Sequence, residues 1–448
     1  MLLAHCIRLV ATPEQCDYFA RAAGTARRVW NWALAEWQRQ LASGLRPDAM
    51  ALKKQFNAIK YVHSDWLDAD GRPWLSTIHR DAHSQPFANL AKAWKRYFAA
   101  HGAGQPTHLP RFKKKGRSRD SFYIANDKFR LEGRSACLPK VGWVALAEPL
   151  RFPGKIMGAS VAREADHWFL AVQVEVPDGD ALRSRIGDSV VGVDLGVSTA
   201  ATLSTGEKIA APRPLRSALR RLRIRSRRQS RKVQALKAAA GGTVSIKGAM
   251  HWPRSANQVK GARRLARLHA RIVRVRADFI HKLTTRLCRE NQAVAIEDLH
   301  VKGMLANARL ARSIGDVGFY EIRRQLQYKA RRYGTVIALA ERWYPSSKLC
   351  SACGKKNGTL TLSERAWICS CGARHDRDVN AAINLQRLAT GALAARTALP
   401  VASSAAMPGT AAGKVPAGGG EVTPVRHEHG QQDGSGQEED AARFCVRF

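Results

Sequence analysis

The sequence is poor in acidic residues and in long apolar runs. Its 448 residues include 36 Asp and Glu against 74 Lys and Arg, a formal net charge of +38. Such a charge implies a partner that carries many phosphates, and nucleic acid is favoured over an anionic membrane. No apolar run approaches the roughly 18 residues of a membrane-spanning helix, and the start MLLAHCIRLVATPEQ lacks the features of a secretion signal. We therefore expect a soluble, cytoplasmic protein.

The cysteines do not have the pattern of a disulfide framework. There are nine, an odd number, and four of them fall within 22 residues: Cys350, Cys353, Cys369 and Cys371. Their Cys-x-x-Cys and Cys-x-Cys spacing offers four thiolates to one structural, tetrahedral zinc ion. Gly354 and Gly372 follow the two pairs, as tight turns require. The second pair is one residue shorter than the usual Cys-x-x-Cys, so its turn must have a different geometry, and His375 could compete as a ligand.

The distribution of apolar residues predicts several structural regions. Residues 1–10 have the pattern of a strand, and 11–100 are mostly helical. After a basic loop at 103–120, short alternating segments predict a small barrel or an open sheet, which the first strand can complete. Residues 212–290 are strongly basic and largely helical. The Gly- and Ala-rich segment 391–448 has few large apolar residues, and we expect it to be disordered.

The basic segment has 22 Lys and Arg but one acidic residue between Arg213 and Arg286. Its second helix has one apolar face that is predicted to lie on a core: Leu265, Leu268, Ile272, Val275 and Phe279. The arginines on the other faces either form a solvated helix surface or contact phosphates, and both readings stay open. Tryptophans of the helical region are expected to pack in a core rather than stack on bases: Trp30, Trp37, Trp74 and Trp94.

Four acidic residues are conspicuous in this basic chain. Asp194 ends the apolar strand VVGVD, Glu297 ends the apolar strand AVAIE, and Asp376 and Asp378 lie at the start of the helix DVNAAINLQRL. Each has an ordinary explanation when taken singly, and Asp376 is well placed as a helix N-cap. Carboxylates at the ends of buried strands project at one edge of a sheet, where an acidic helix start can dock. Three carboxylates there would bind two Mg²⁺ ions, an arrangement that cleaves phosphodiesters.

The order of these motifs resembles one family closely. Six features follow one another from the middle of the chain to about residue 390. They are GVDLG, the basic insertion, AIEDL with KGM, WYPSSKLCSACG, LSERAWICSCG and DRDVNAAINL. The same succession is typical of the TnpB/OrfB proteins of insertion sequences. Those proteins are compact RNA-guided DNA nucleases related to type V CRISPR effectors, and the resemblance runs from residue 1.

The resemblance implies an α/β multidomain fold. It combines a RuvC-like nuclease domain of the RNase H fold, carrying a zinc knuckle, with a β-barrel wedge domain and a helical recognition domain. The implied boundaries are 1–10 and 105–186 for the wedge, 11–104 for the recognition domain, 187–349 for the nuclease domain with its insertion 212–290, 350–371 for the knuckle, and 372–390 for the last nuclease helix. The segment 391–448 has no counterpart in the family.

The resemblance also implies functional residues and partners. The magnesium ligands would be Asp194, Glu297 and Asp378, which leaves Asp376 as the cap. The partners would be a guide RNA from the transposon end, double-stranded target DNA beside a short flanking motif, and functionally the element's transposase. The protein would then be associated with the nucleoid.

Two other functions remain open in the sequence. A regulator could bind guide RNA and DNA without cutting, or assist a separate transposase, although the intact acids favour cleavage. A strand-transfer transposase of the same fold class ranks lowest, because the knuckle and the basic insertion match the guided family better. The knuckle directly precedes Asp378, so we hypothesise that its folding fixes where the last helix begins.

Overall fold

We describe the chain from a computed structural model that defines residues 1–177, 179, 183–239, 254–361 and 363–398. These residues form two compact units. The first contains 1–183 and 212–279, and the second contains 184–211 and the chain from residue 280. None of the helices among the described residues is long and apolar enough to cross a membrane.

The first unit contains an antiparallel sheet of seven strands. They are β1 (Leu2–Val10), β2 (Ser121–Ala125), β3 (Arg130–Glu132), β4 (Ser135–Leu138), β5 (Gly142–Leu146), β6 (Lys155–Glu164) and β7 (His167–Glu175), in the order β2-β6-β7-β1-β5-β4-β3. Strand β1 is central, because it pairs with β7 over Leu2–Arg8 and with β5 through Leu9 and Val10. The N-terminal strand therefore completes the sheet of the later strands, as predicted.

Three α-helices separate β1 from β2: α1 (Pro13–Ala42), α2 (Ala49–Ile59) and α3 (Arg80–Gly102). The first turn of α1 is fixed by a capping box, in which the side chains of Thr12 and Gln15 each accept the other's backbone N–H. Trp37 and Trp94 stack with ring centroids 5.4 Å apart and join α1 to α3. Trp30 is also buried and Trp74 packs against the same core. The prediction of core tryptophans is confirmed.

The described residues of the basic insertion form two helices, α4 (Pro214–Ala239) and α5 (Ala256–Glu290). Ala218 and Leu222 pack against Leu268 and Ile272, which were predicted to face a core. Val275 was predicted to face it too, but this side chain is exposed.

The insertion belongs to the first unit up to residue 279, although the sequence assigned it to the nuclease domain 187–349. Ion pairs explain this difference. Arg267 binds Asp166, and Arg274 Nε lies 3.2 Å from Glu164 Oε1. These two acidic residues lie where β6 ends and β7 begins, so they hold α5 against the first unit's sheet.

The second unit contains a mixed sheet of five strands. They are β8 (Ser189–Asp194), β9 (Ala201–Leu203), β10 (Lys208–Ile209), β11 (Asn291–Glu297) and β12 (Val336–Ala340), in the order β10-β9-β8-β11-β12. Strands β8, β11 and β12 are parallel, whereas β9 and β10 are antiparallel to their neighbours. Between β11 and β12 the chain forms α6 (Val301–Leu305), α7 (Ala311–Val317) and α8 (Phe319–Tyr333).

The last helix, α9 (Arg377–Ala398), lies directly on β8. A Cβ atom on Gly192 would come within 1.9 Å of the carbonyl oxygen of Ala382 and 2.3 Å of the backbone nitrogen of Gln386. Only glycine permits this approach, since neither contact atom belongs to a flexible side chain. The helix also continues past 390, so the disorder predicted from 391 is wrong as far as Ala398. Residues 399–448 lie outside the described part of the chain.

Candidate active site and cysteine cluster

Asp194 and Glu297 are the last residues of two neighbouring parallel strands, β8 and β11. Val193 is in register with Ile296, so the two acids that follow lie side by side. Parallel strands end at the same edge of a sheet. The predicted meeting of the two carboxylates at one sheet edge is therefore seen in the structure.

Burial and the negative charges of neighbouring acids change the pKa values of these carboxyl groups. Burial, followed by the charges of Glu297 and Asp378, raises the pKa of Asp194 to about 8. Burial also raises the pKa of Glu297, while a hydrogen bond from Ser346 Oγ to Glu297 Oε1, 2.6 Å long, works in the other direction. Asp194 and Glu297 are therefore partly desolvated, and the charges of Glu297 and Asp378 both act on Asp194. Such a set of oxygen ligands favours a bound cation.

The two aspartates of DRD have different surroundings. Asp376 Oδ1 accepts the backbone N–H groups of Asp378 and Val379 at 3.1 and 3.0 Å, and its Oδ2 lies 2.7 Å from Lys208 Nζ. Asp376 therefore caps α9, as predicted. Burial opposes ionisation of this residue, but the lysine and the two N–H groups outweigh it and lower its pKa. Asp378 instead contributes to the field at Asp194, and its Oδ1 lies 3.5 Å from Arg365 Nη1.

The four predicted cysteines form a compact cluster. Their sulfur atoms all lie within 4.8 Å of one another, and the Cys350–Cys371 and Cys353–Cys369 pairs are each 3.7 Å apart. A tetrahedral ion with zinc–sulfur bonds of about 2.3 Å separates its ligands by roughly 3.8 Å. The spacing therefore fits a zinc ion.

The backbone around the cysteines supports the same interpretation. The N–H groups of Ala352 and Cys353 point at Cys350 Sγ, at 3.4 and 3.5 Å. Gly354 and Gly372 have φ angles of +75° and +85°, the left-handed conformation that the sequence predicted for these turns. The cluster can hold one zinc ion in a closed site.

His375 lies beside the cluster, not among the four sulfur atoms. Its Nε2 is 3.1 Å from Cys350 Sγ, and its ring packs on Trp367 with centroids 4.7 Å apart. Its strand β14 (Arg374–Asp376) pairs with β13 (Ala366–Ile368) and runs directly into α9. The hairpin thus joins the second cysteine pair to the aspartates.

Two asparagines that sequence reasoning missed connect α9 to the first cysteine pair. Asn380 accepts the N–H of Ser351 at 2.8 Å and donates to the carbonyl of Leu349 at 2.6 Å. Asn384 donates to the carbonyls of Ser346 and Leu349 at 2.8 and 2.7 Å. Both side chains are buried. They position the loop that carries Ser346, which donates a hydrogen bond to Glu297, and Cys350, the first cysteine of the cluster.

Three family models match this chain. The OrfB_IS605 model, described as a probable transposase, matches residues 170–308, the Cas12f1-like TNB domain matches 319–385, and a helix-turn-helix domain of the same OrfB group matches 1–46. The first covers the ends of both acidic strands. The second covers the cysteine cluster and the start of α9.

Curated proteins and solved structures are also similar. A Streptomyces pristinaespiralis protein named "Putative RNA-guided DNA endonuclease" is 35% identical over 387 residues, which are 84% of this chain and 87% of that protein. A Mycobacterium tuberculosis protein with this type of name is 31% identical over 409 residues, 84% of each chain. The Cas12f1 protein solved with sgRNA and target DNA is 15% identical, with a TM-score of 0.46 and coverage of 84% and 83%. The chain therefore belongs to the OrfB family of insertion-sequence proteins, as its motifs predicted.

Proposed function

We propose that this protein is an RNA-guided, Mg²⁺-dependent DNA endonuclease that hydrolyses target DNA beside a short flanking motif. The observation that carries the proposal is that Asp194 and Glu297 end neighbouring strands at one edge of the second unit's sheet, where the charge of Asp378 also acts on Asp194. The names of the relatives, which align with more than four fifths of this chain, support the guided reading. The net charge of +38 supplies the attraction to nucleic acid.

The domain assignment is part of the proposal. The mixed sheet with its acids at adjacent strand ends supports a RuvC-like nuclease domain over 187–211 and 280–349, completed by α9 from Arg377. The antiparallel sheet of seven strands supports a wedge domain, and α1 to α3 support a recognition domain over 11–104. In this arrangement base pairing with the guide reads the target sequence, while the protein reads shape and the flanking motif.

The site's ligand chemistry fits magnesium. Its carboxylate oxygens are the hard ligands that Mg²⁺ prefers. The pKa of Asp194 is raised by burial first and then by the charges of Glu297 and Asp378, and a bound cation would offset both effects. Asp194, Glu297 and Asp378 would hold the ions, which when bound activate water and stabilise the leaving oxygen. Ser346 orients the Glu297 carboxylate through its hydroxyl. Asp376 holds the start of α9, and thereby the backbone of Asp378.

The first test is to sequence the RNA that copurifies with the protein and to use its 3′ segment to choose a target DNA. Wild-type protein with Mg²⁺ should cut the matched target, and Glu297→Gln should slow cleavage at least about a hundredfold while retaining the RNA. Glu341→Gln, which changes an exposed glutamate shortly after β12, is the control and should cut normally.

Two results would overturn the proposal. A heterogeneous RNA pool that tracks abundance would mean that the charge binds nucleic acid generally. A defined guide RNA without Mg²⁺-dependent cleavage of its matched target would favour a regulator that binds but does not cut.

A further inference from the structure

A cavity of about 370 Å³ adjoins the candidate active site within the second unit. Its lining includes Glu297 itself and Leu195, which directly follows Asp194. The other walls come from the turn after β11, from α6 and from the first turns of α8, with Lys302, Phe319 and Tyr320 among the lining residues. The volume lies within the range of pockets that hold a small organic molecule, about 300–1,000 Å³. The cavity could hold one nucleotide but not a duplex.

The positive charges of this cavity are not all engaged by the protein. Arg323 binds Asp298, and Arg324 pairs with Glu321 at 2.7 Å. Lys302 lines the same cavity and is exposed, and it has no ion-pair partner within the residues that the structure describes. This ammonium group therefore remains available to a phosphate that lies near Glu297.

Tyr320 supplies an aromatic surface at the cavity. Tyr320 is 61% exposed, whereas Phe319 before it and Ile322 two positions after it are buried, with 2% and 0% exposed. These two buried neighbours fix the first turn of α8, so the position of Tyr320 is set although its ring is free. Within the described residues, no other aromatic ring stacks on it. An exposed ring on a rigid backbone is the arrangement that receives an unpaired base.

We infer that this cavity binds one nucleotide of the single DNA strand that enters the active site, with its base on Tyr320 and a phosphate at Lys302. The inference rests on the proposed endonuclease function and identifies how its substrate strand is held. The occupant must be single-stranded, because a base can stack on Tyr320 only after it leaves its own duplex stack. The subsite would place the neighbouring phosphodiester next to Glu297 and Asp194.

Crosslinking tests occupancy without requiring cleavage. The full protein with its copurified RNA is bound, in buffer without Mg²⁺, to target strands that carry 5-iododeoxyuridine at successive positions. After irradiation, the crosslinked peptides are identified by mass spectrometry. We expect one position to link to the peptide that contains Tyr320. Crosslinks confined to other aromatic residues would overturn the inference, whether or not the wild-type protein cuts DNA when Mg²⁺ is added.

Variants test the energetic role of the same residues. Tyr320→Ala should slow cleavage of the guided target about tenfold, because the base loses the ring on which it stacks, while Tyr320→Phe should retain the wild-type rate. Lys302→Gln should weaken the salt dependence of cleavage. Tyr61→Ala removes an exposed tyrosine of the first unit and is the matched control. A wild-type rate in Tyr320→Ala would refute the subsite, whereas an inactive wild type with a crosslink at Tyr320 would refute the endonuclease proposal alone.

Discussion

Asp376 and Asp378 are two positions apart, yet they have different surroundings and should respond differently to mutation. Asp378→Asn removes a charge that acts on Asp194, so we expect it to abolish target cleavage and leave the melting temperature nearly unchanged. Asp376→Asn weakens the cap and the Lys208 ion pair, so we expect a loss of up to about 1 kcal/mol in the free energy of unfolding and retained cleavage.

Cleavage rates and thermal melts of the two variants measure this difference. The double variant should combine both effects. If Asp376→Asn abolished cleavage while Asp378→Asn cut normally, the assignment of cap and metal ligand would be reversed.

Ser346 makes the local pH dependence testable. Its hydroxyl donates to Glu297 and favours the ionised form, so Ser346→Ala should raise the pKa of Glu297 further above its ordinary value. A smaller fraction of Glu297 is then ionised at a given pH, and the acidic limb of the cleavage profile should move to higher pH. We also expect a rate about tenfold lower below that limb's midpoint, since a hydrogen bond to a charged group contributes about 1.5–3 kcal/mol.

The adjacent Ser347→Ala is the control for this variant, since it makes the same chemical change one position along the loop. Its pH profile should superimpose on the wild-type profile. An unshifted acidic limb in Ser346→Ala would show that the serine has no effect on the ionisation of Glu297.

For single residues, the sequence predicted those whose type and spacing indicate a metal ligand. Acids at the ends of apolar strands and closely spaced cysteines are visible in the letters alone. Gly192, Asn380, Asn384 and Ser346 were not predicted, because their roles depend on which backbone lies against them. Lys329 is a similar case: its buried ammonium contacts the hydroxyls of two threonines on α5, which no pattern in α8 indicates.

Among the structural elements, the cysteine cluster and α9 are the pair with the clearest functional link. The β13–β14 hairpin connects the cluster to the start of α9, where Asp376 and Asp378 lie. The buried Asn380 and Asn384 connect α9 to the loop that carries Ser346 and Cys350. Cys350→Ser should therefore lower the zinc content and greatly slow cleavage, because the loop that carries Ser346 and the start of α9 would lose their common support.

Zinc per chain, measured by mass spectrometry, and the cleavage rate should fall together in Cys350→Ser. Cys16→Ser changes a half-buried cysteine on α1, outside the cluster, and should keep both values. Full cleavage by a zinc-free Cys350→Ser protein would mean that α9 holds its position without the cluster.

The helices and strands themselves were largely predictable from the sequence, but which of them pack against one another was less so. Alternating and helical apolar patterns identified most strands of both sheets, the helices between β1 and β2, and the last helix, but they missed β4 and β6. The insertion's association with the first unit was not predictable, because it depends on Arg267 and Arg274 reaching acids about a hundred residues away. The end of α9 was placed too early, since Ala-rich sequence is compatible with helix as well as with disorder.

At the scale of the whole molecule, the excess of positive charge is concentrated on surfaces such as that of α4. Four exposed arginines follow one another at helical spacing along it: Arg220, Arg223, Arg227 and Arg231. They lie on the opposite side from Ala218 and Leu222, which pack against α5. None of the four has an ion-pair partner within the described residues. By contrast, Arg267 is engaged by Asp166.

These four arginines of α4 and the paired Arg267 can be compared by mutation, which tests whether α4 binds phosphates or is only solvated. If the α4 arginines contact phosphates, replacing Arg220, Arg223 and Arg227 together with Gln should reduce the slope of log affinity against log salt by about 2 to 3, since each lost contact removes about 0.7–0.9. Arg267→Gln should leave the slope unchanged, because its charge is already paired. The measurement is a salt titration of RNA binding by fluorescence anisotropy, with circular dichroism to verify folding. An unchanged slope in the triple variant would show that α4 presents a solvated charged face, and the RNA would have to be held elsewhere on the protein.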